Sequence, residues 1–188
     1  MTGVRQAVAA DVPRAAQVLA DAFDGYAWTD WVLPPEDRPG RLAEVQAIYL
    51  AHAVRHGLVL VDDDLTGVVA LVPVDVEPPD EATWQRVAEL HGDRVMRLAD
   101  PVPPPPPDGA WTLAALGVTP AARGAGTGSR LVAAALEQVG DVPVVLDTSD
   151  ARNVTLYERY GFAVTGRTEV PGGPVVWSML RPAGSDGR

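Results

Sequence analysis

The chain has no cysteine among its 188 residues. Disulfides, thiolate–zinc sites and a cysteine nucleophile are excluded together, so group transfer must be direct or use another nucleophile. No apolar run approaches the roughly 18 residues of a membrane-spanning helix, and no basic-then-apolar leader opens the sequence. A cytoplasmic protein with no membrane partner is the expectation. Positive charge is also scarce: 15 Lys+Arg against 25 Asp+Glu leave a net charge of −10. Nucleic acids and anionic membranes bind through neutralised phosphates, so neither is expected as the main partner. The acidity suits a cationic substrate such as an amine, and equally suits plain solubility. At 47 % hydrophobic, a chain of this length fits one domain with a full core.

The most informative stretch is 111–131, WTLAALGVTPAARGAGTGSRL. It reads as an apolar strand, a short turn at Pro120, a glycine-dense arm (Arg123, Gly124, Ala125, Gly126, Thr127, Gly128) and the start of a helix. A helix N-terminus leaves its first N–H groups unpaired and carries partial positive charge, and glycines let an anion approach them closely. The arm is therefore a phosphate cradle. A P-loop needs a lysine directly after its glycines, and none follows here. A dinucleotide fingerprint is nearer, with Asp147 about 20 residues downstream where a ribose-binding acid belongs. That motif turns directly off its strand near the start of a doubly wound domain. Here five residues separate Val118 from Gly124, and too little chain follows for the remaining strands.

The other segments read in order as follows. Val4–Val8 forms a strand. Asp11 caps a helix with Pro13 in its first turn and an apolar stripe (Ala15, Leu19, Ala22, Phe23). Residues 24–31 carry Tyr26, Trp28 and Trp31 in a loop or broken helix, and a second helix runs from about Glu36 or Arg41 to Arg55. His52 and His56 stand four apart, but no HExxH glutamate follows and His91 is distant, so solvated helix-end histidines are expected and no metal. Leu58–Val61 and Gly67–Val74 form a hairpin whose three aspartates, Asp62 to Asp64, serve the turn. A third helix spans Glu81–Leu98, and Pro101 with Pro103–Pro107 form an extended connection. After the glycine arm, Leu131, Val132, Ala135, Leu136 and Val139 have helical spacing up to Gly140. Val142–Asp147 is a buried strand, and Asp150 caps a short helix that Gly161 closes. Strands at about Phe162–Pro171 and Pro174–Arg181 fold back around Gly172-Gly173, leaving a frayed polar tail.

Asn153 and Tyr157, four residues apart, present an amide and a phenol on one helix face. From spacing alone, Tyr157 is equally a core tyrosine with a satisfied hydroxyl. Asp147, at the end of its strand, is either a functional carboxylate or a solvated strand end. The aromatics of 24–31 serve either the core or a cavity.

The run Val118-x-Pro120-x-x-Arg123-Gly124-x-Gly126-x-Gly128 resembles the acetyl-CoA pyrophosphate motif of the GNAT N-acetyltransferases, and Asn153-x-x-x-Tyr157-x-x-x-Gly161-Phe162 resembles their last motif. Within that family, Leu146–Asn153 with Leu156–Phe162 is similar to the LETSxxRNxxFYERxGF block of the puromycin N-acetyltransferases and their relatives. So are Asp11–Ala15 and the ending Glu169–Pro182. Asp147 stands for their glutamate, Arg123 for glutamine and Thr127 for an aliphatic residue. The resemblance implies an α+β fold, a mixed and mostly antiparallel sheet flanked by helices, over residues 1–182, with 183–188 as a tail. It implies acetyl-CoA as co-substrate, lying where the strands of Trp111–Val118 and Val142–Asp147 splay apart. The arm would hold the pyrophosphate, the backbone of Leu116, Gly117 and Val118 the pantetheine, and Asn153 the CoA arm. Tyr157 would be the general acid, and Asp147 either a base acting through water or a carboxylate that attracts the ammonium, with Tyr26 and Trp28 against the acceptor. The implied activity is direct acetyl transfer to a small-molecule primary amine, an antibiotic or aminonucleoside-like compound among them, by a monomer or homodimer. Acetylation of a peptide N-terminus or lysine, and acyl-CoA sensing without catalysis, are the alternatives.

Overall fold

The computed structural model describes residues 3–184, so most of the expected polar tail lies outside the described residues. In chain order the elements are β1 (Val4–Gln6), α1 (Val12–Phe23), α2 (Ala27–Val32), α3 (Arg38–His56), β2 (Leu58–Asp62), β3 (Gly67–Pro73), α4 (Glu81–His91), β4 (Trp111–Val118), α5 (Thr127–Val139), β5 (Val144–Thr148), α6 (Ala151–Glu158), β6 (Ala163–Glu169) and β7 (Val175–Arg181). The seven strands form one sheet in the order β1-β2-β3-β4-β5-β7-β6. Every neighbouring pair is antiparallel except β4 and β5, which are parallel and joined through α5.

Strand alternation divides the core between the two faces of this sheet. Leu58 and Leu60 of β2 join Leu131, Val132 and Ala135 of α5 and Tyr157 of α6 on one side. Val59 and Val61 join Ala15, Val18 and Leu19 of α1 with Leu50 and Ala53 of α3 on the other. Each fully buried leucine or valine of this kind contributes about 1.5–3 kcal/mol. A third cluster, Val32, Leu33, Leu42, Val45 and Leu90, ties α2, α3 and α4 together at one end.

Several local expectations hold and others shift. The aspartate turn is a hydrogen-bonded cage: the Asp62 carboxylate accepts from the N–H groups of Thr66 (2.8 Å) and Gly67 (2.6 Å) and from the Thr66 hydroxyl (2.7 Å). Asp150 caps α6 by accepting the Arg152 N–H at 2.9 Å. Asp11 stands at the start of α1, but its carboxylate faces backwards. It accepts from the Val8 N–H and both Arg5 nitrogens, which hold its pKa down to about 2. The chain therefore leaves β1 at Gln6 rather than Val8 and makes a 3₁₀ turn over Ala9–Asp11. The third expected helix stops at His91, because Gly92 adopts φ +56, and continues as a 3₁₀ segment over Gly92–Ala99. β5 begins at Val144, not Val142, and β6 at Ala163.

The approach of α1 to β4 requires Gly117. A Cβ built there would lie 2.8 Å from Leu19 Cδ2 and 2.9 Å from Ala22 Cβ. Gly117→Ala is expected to destabilise the protein by about 1–3 kcal/mol through overpacking, read from the urea midpoint. An unchanged midpoint would contradict so close a helix–strand contact.

Candidate functional site

The site begins with a fault in the sheet. Along β3 and β4 the register runs Leu71↔Leu113 and then Ala70↔Ala115, so Ala114 is an extra residue in β4. Such a bulge bends its strand and disrupts the ladder locally. On the other edge, β4 pairs with β5 only at Trp111↔Val144 and Thr112↔Val145. From Leu113 onward the two parallel strands diverge, which opens a wedge and leaves main-chain groups of β4 on that edge without a strand partner.

The glycine arm lies beyond the wide end of the wedge. Gly124 and Gly126 have φ of +82 and +78, a conformation that favours glycine. The first helical hydrogen bond of α5 is Arg130 N–H to Gly126 C=O (3.0 Å), and the N–H groups of residues 124–129 have no partner among the described residues. Arg130 braces the arm from behind, donating to Ala125 C=O (3.0 Å) and to the Thr127 hydroxyl (3.0 Å). Arg123 is exposed and donates to Ala22 C=O at 3.2 Å, tying the arm to α1. These free N–H groups at the N-terminus of a 13-residue helix fit a pyrophosphate. Arg130 was missed from sequence, where it reads as one more surface arginine.

Next to the wedge is a cavity of about 580 Å³ that brings together Tyr26, Trp28, Leu116, Asp147, Asn153 and Tyr157. Its lining is otherwise mostly apolar and aromatic, including Phe23, Leu33, Val45 and Tyr49, with His52 and His91. Asp147 is the one formally charged residue of that lining. His56 is exposed, as expected of a helix-end histidine, whereas His52 departs from that expectation. His52 is half-buried and stacks on His56 with ring centroids 4.7 Å apart. His91 is only 2 % exposed. Among the described residues, no group of three or more His, Cys, Asp or Glu is arranged to hold a metal ion.

Tyr157 is 5 % exposed and packs on Phe162 with centroids 5.6 Å apart. It belongs to the core, as its spacing allowed, yet its hydroxyl has no hydrogen-bond partner among the described residues and the residue lines the cavity. Burial, helped by the neighbouring Tyr26, pushes its pKa up, so it remains a protonated donor at neutral pH. Asp147 is exposed along the cavity wall but crowded enough that desolvation raises its carboxyl above the ordinary aspartate value. The Ser178 hydroxyl, donating to Asp147 Oδ1 at 2.5 Å, offsets part of that rise.

Thr148 organises the polar part of the wall. Its Oγ1 accepts from Asn153 Nδ2 (3.1 Å) and from the Asp150 N–H (3.3 Å), filling both lone pairs. Its own hydrogen therefore goes to the Tyr26 hydroxyl oxygen at 2.9 Å, which also accepts the Ser149 N–H at 2.7 Å. With both acceptor positions of the phenol filled, the Tyr26 hydrogen is left without a protein acceptor. The Ser149 hydroxyl accepts the Trp28 N–H at 3.1 Å. The α1–α2 loop is thus clamped to the end of β5, and Asn153 keeps its side-chain carbonyl and one N–H free.

Residues 55–164 match the model of the acetyltransferase (GNAT) domain family. The fold recurs in solved structures. A histone acetyltransferase HPA2 and related acetyltransferase from Corynebacterium glutamicum is 23 % identical with a TM-score of 0.78, covering 100 % of this chain and 99 % of that one. The polyamine N-acetyltransferase of Drosophila melanogaster, which forms N-acetylagmatine, is 18 % identical at TM-score 0.65, covering 96 % and 99 %. Arylalkylamine N-acetyltransferase 2 of Aedes aegypti is 12 % identical at TM-score 0.70, covering 96 % and 98 %. A parted sheet with an unpaired helix N-terminus at its wide end fits a co-substrate that carries an extended amide arm and phosphates. The chain belongs to the GNAT family and is an acetyl-CoA-dependent N-acetyltransferase.

The Thr148 hub makes a specific stability demand. Thr148→Val leaves Asn153, Tyr26 and the Asp150 N–H short of a partner and should cost about 1–3 kcal/mol in a denaturant titration. Thr148→Ser should remain near the wild type. Equal stability of the two variants would show that the hydroxyl does not hold the clamp.

Proposed function

We propose that this enzyme acetylates the primary amine of a small molecule with a single cationic centre and an apolar, aromatic body. The observation that carries the reading is the cavity: aromatic and aliphatic walls with Asp147 as their one carboxylate. One carboxylate suits one ammonium. A polyamine or agmatine would bring a second cation against a wall with no second acid, at a desolvation cost nothing there offsets. The similarity of 146–162 to the puromycin N-acetyltransferases supports an aminonucleoside-like antibiotic as one acceptor, and resistance to it as one role.

In this reading residues 1–182 act as one catalytic domain. The N–H groups of Gly124, Ala125, Gly126, Thr127 and Gly128 hold the pyrophosphate, with Arg123 adding positive charge. Main-chain groups of Leu116, Gly117 and Val118 pair with the pantetheine amides, and the side-chain carbonyl of Asn153 accepts from the same arm. Acetyl-CoA supplies a thioester whose carbonyl carbon takes the amine lone pair as the C–S bond breaks. Asp147, directly or through water, removes the proton that keeps the acceptor an ammonium. Tyr157 gives its hydroxyl proton to the departing thiolate. Tyr26, with its unspent hydrogen, and Trp28 orient the acceptor. One N–C bond forms and one C–S bond breaks; the second proton shed by the nitrogen restores the Tyr157 hydroxyl through solvent, and free thiol and amide leave.

Free thiol is an unusually clean readout here, because the chain has no cysteine. It also has no lysine, so acetyl found in product mass spectra cannot sit on a lysine of the enzyme. Phenethylamine, tryptamine and puromycin are expected to release thiol, and spermidine and agmatine far less. Preference for the polyamines would overturn the reading. Tyr157→Phe should lower kcat about 10²-fold or more while changing the KM for acetyl-CoA only a few-fold; full activity in that variant would remove Tyr157 from the chemistry. Because the Asp147 pKa is raised, a base there works above that value and is lost as pH falls through it. Asp147→Asn should therefore be slow and lack this acidic limb in its kcat/KM profile. An unchanged limb would assign it to another group.

A further inference from the structure

The cavity is also lined by His91, which comes from α4 and not from β5 or α6, the elements that carry Asp147 and Tyr157. His91 is the last residue of that helix. Its neighbour Leu90 belongs to the apolar cluster of Val32, Leu33, Leu42 and Val45. His91 Nδ1 lies 2.7 Å from Val87 C=O, one turn earlier in the same helix. A carbonyl can only accept, so Nδ1 carries the hydrogen. Nε2 of the neutral ring is then an acceptor, and it has no hydrogen-bond partner among the described residues. Desolvation, with the nearby Arg41 guanidinium, lowers the imidazole pKa and keeps the ring neutral at pH 7. Nε2 is not sealed from solvent, so a ligand that displaces water from it must supply a donor in the water's place or lose that hydrogen bond.

From this geometry we infer that His91 is a specificity-determining residue: its Nε2 accepts a hydrogen bond from a hydroxyl or N–H group at the distal end of the acceptor amine. The inference rests on the aromatic-amine reading above and adds to it. The preferred acceptors are amphipathic at both ends, an amine toward Asp147 and a hydrogen-bond donor toward His91, with a ring between them. A site built around an unpaired acceptor discriminates against the analogue that lacks the donor, since that analogue leaves the acceptor bare.

The test uses matched amines that differ only by a ring hydroxyl, phenethylamine against tyramine and tryptamine against serotonin. In the wild type at least one hydroxylated member should exceed its partner in kcat/KM by on the order of tenfold. His91→Phe, which keeps a ring but no acceptor, should bring that ratio close to one while retaining turnover of the unhydroxylated amine. His91→Gln, whose amide oxygen can accept, should keep part of the preference. It serves as the second variant if His91→Phe does not fold. A ratio near one for both pairs in the wild type overturns the inference, as does a ratio that survives in His91→Phe. No turnover of any of the four amines, with spermidine or agmatine acetylated instead, is a different failure, that of the aromatic-amine reading itself.

Discussion

The structure depends on the parting of two parallel strands. β4 and β5 share two register pairs at Trp111 and Thr112 and then separate, and the extra residue Ala114 lies just beyond that point. A continuous ladder would have buried these strands against each other and left no room between them. The divergence leaves one edge of β4 free, and a short 3₁₀ turn over Pro120–Ala122 joins that strand to the glycine arm. The hydrogen bonds forgone by the sheet become available to a ligand with an extended amide-bearing arm and a phosphate end. The supports lie on either side: α1 packs on β4 at Gly117, and α5 carries the arm with Arg130 bracing it.

The clamp at Thr148 solves a second problem, which is how to hold a cavity open beside that gap. Tyr26 and Thr148 are 122 residues apart in sequence and joined by a single hydrogen bond at 2.9 Å. Together with the contact from Trp28 to Ser149, this ties the α1–α2 loop across the end of β5. The proline connection contributes a further wall. Pro101 and Pro103 line the cavity, and Pro104 packs on β6 at Gly166. A stiff segment with little entropy to lose is well suited to that position.

What could be read from sequence was local. The β2–β3 hairpin, the apolar stripe of α5, the Asp150 cap and the glycine arm each announce themselves within a few residues through period, cap or backbone freedom. The mixed, mostly antiparallel sheet and the splayed strands came from the resemblance, and the sheet order bears them out. Other features depend on residues far apart in the chain. Nothing in Ala114 marks a bulge, because the mismatch exists only against β3. Tyr26 and Trp28 carry no signal that separates a core aromatic from a cavity wall until Thr148 and Ser149 meet them. The sequence places His91 within a helix that runs on to Leu98. Gly92 was the available signal, and its positive φ stops the helix with the imidazole turned inward.

Hydrogen–deuterium exchange with and without acetyl-CoA tests the central claim most directly, because the claim concerns main-chain groups left without partners. Acetyl-CoA should slow exchange in peptides covering 113–118 and 124–130, the free edge of β4 and the glycine arm, with little change in β2 or β6. Unchanged exchange in both segments under saturating acetyl-CoA, or protection confined to other parts of the sheet, would contradict the assignment of the wedge as the co-substrate site.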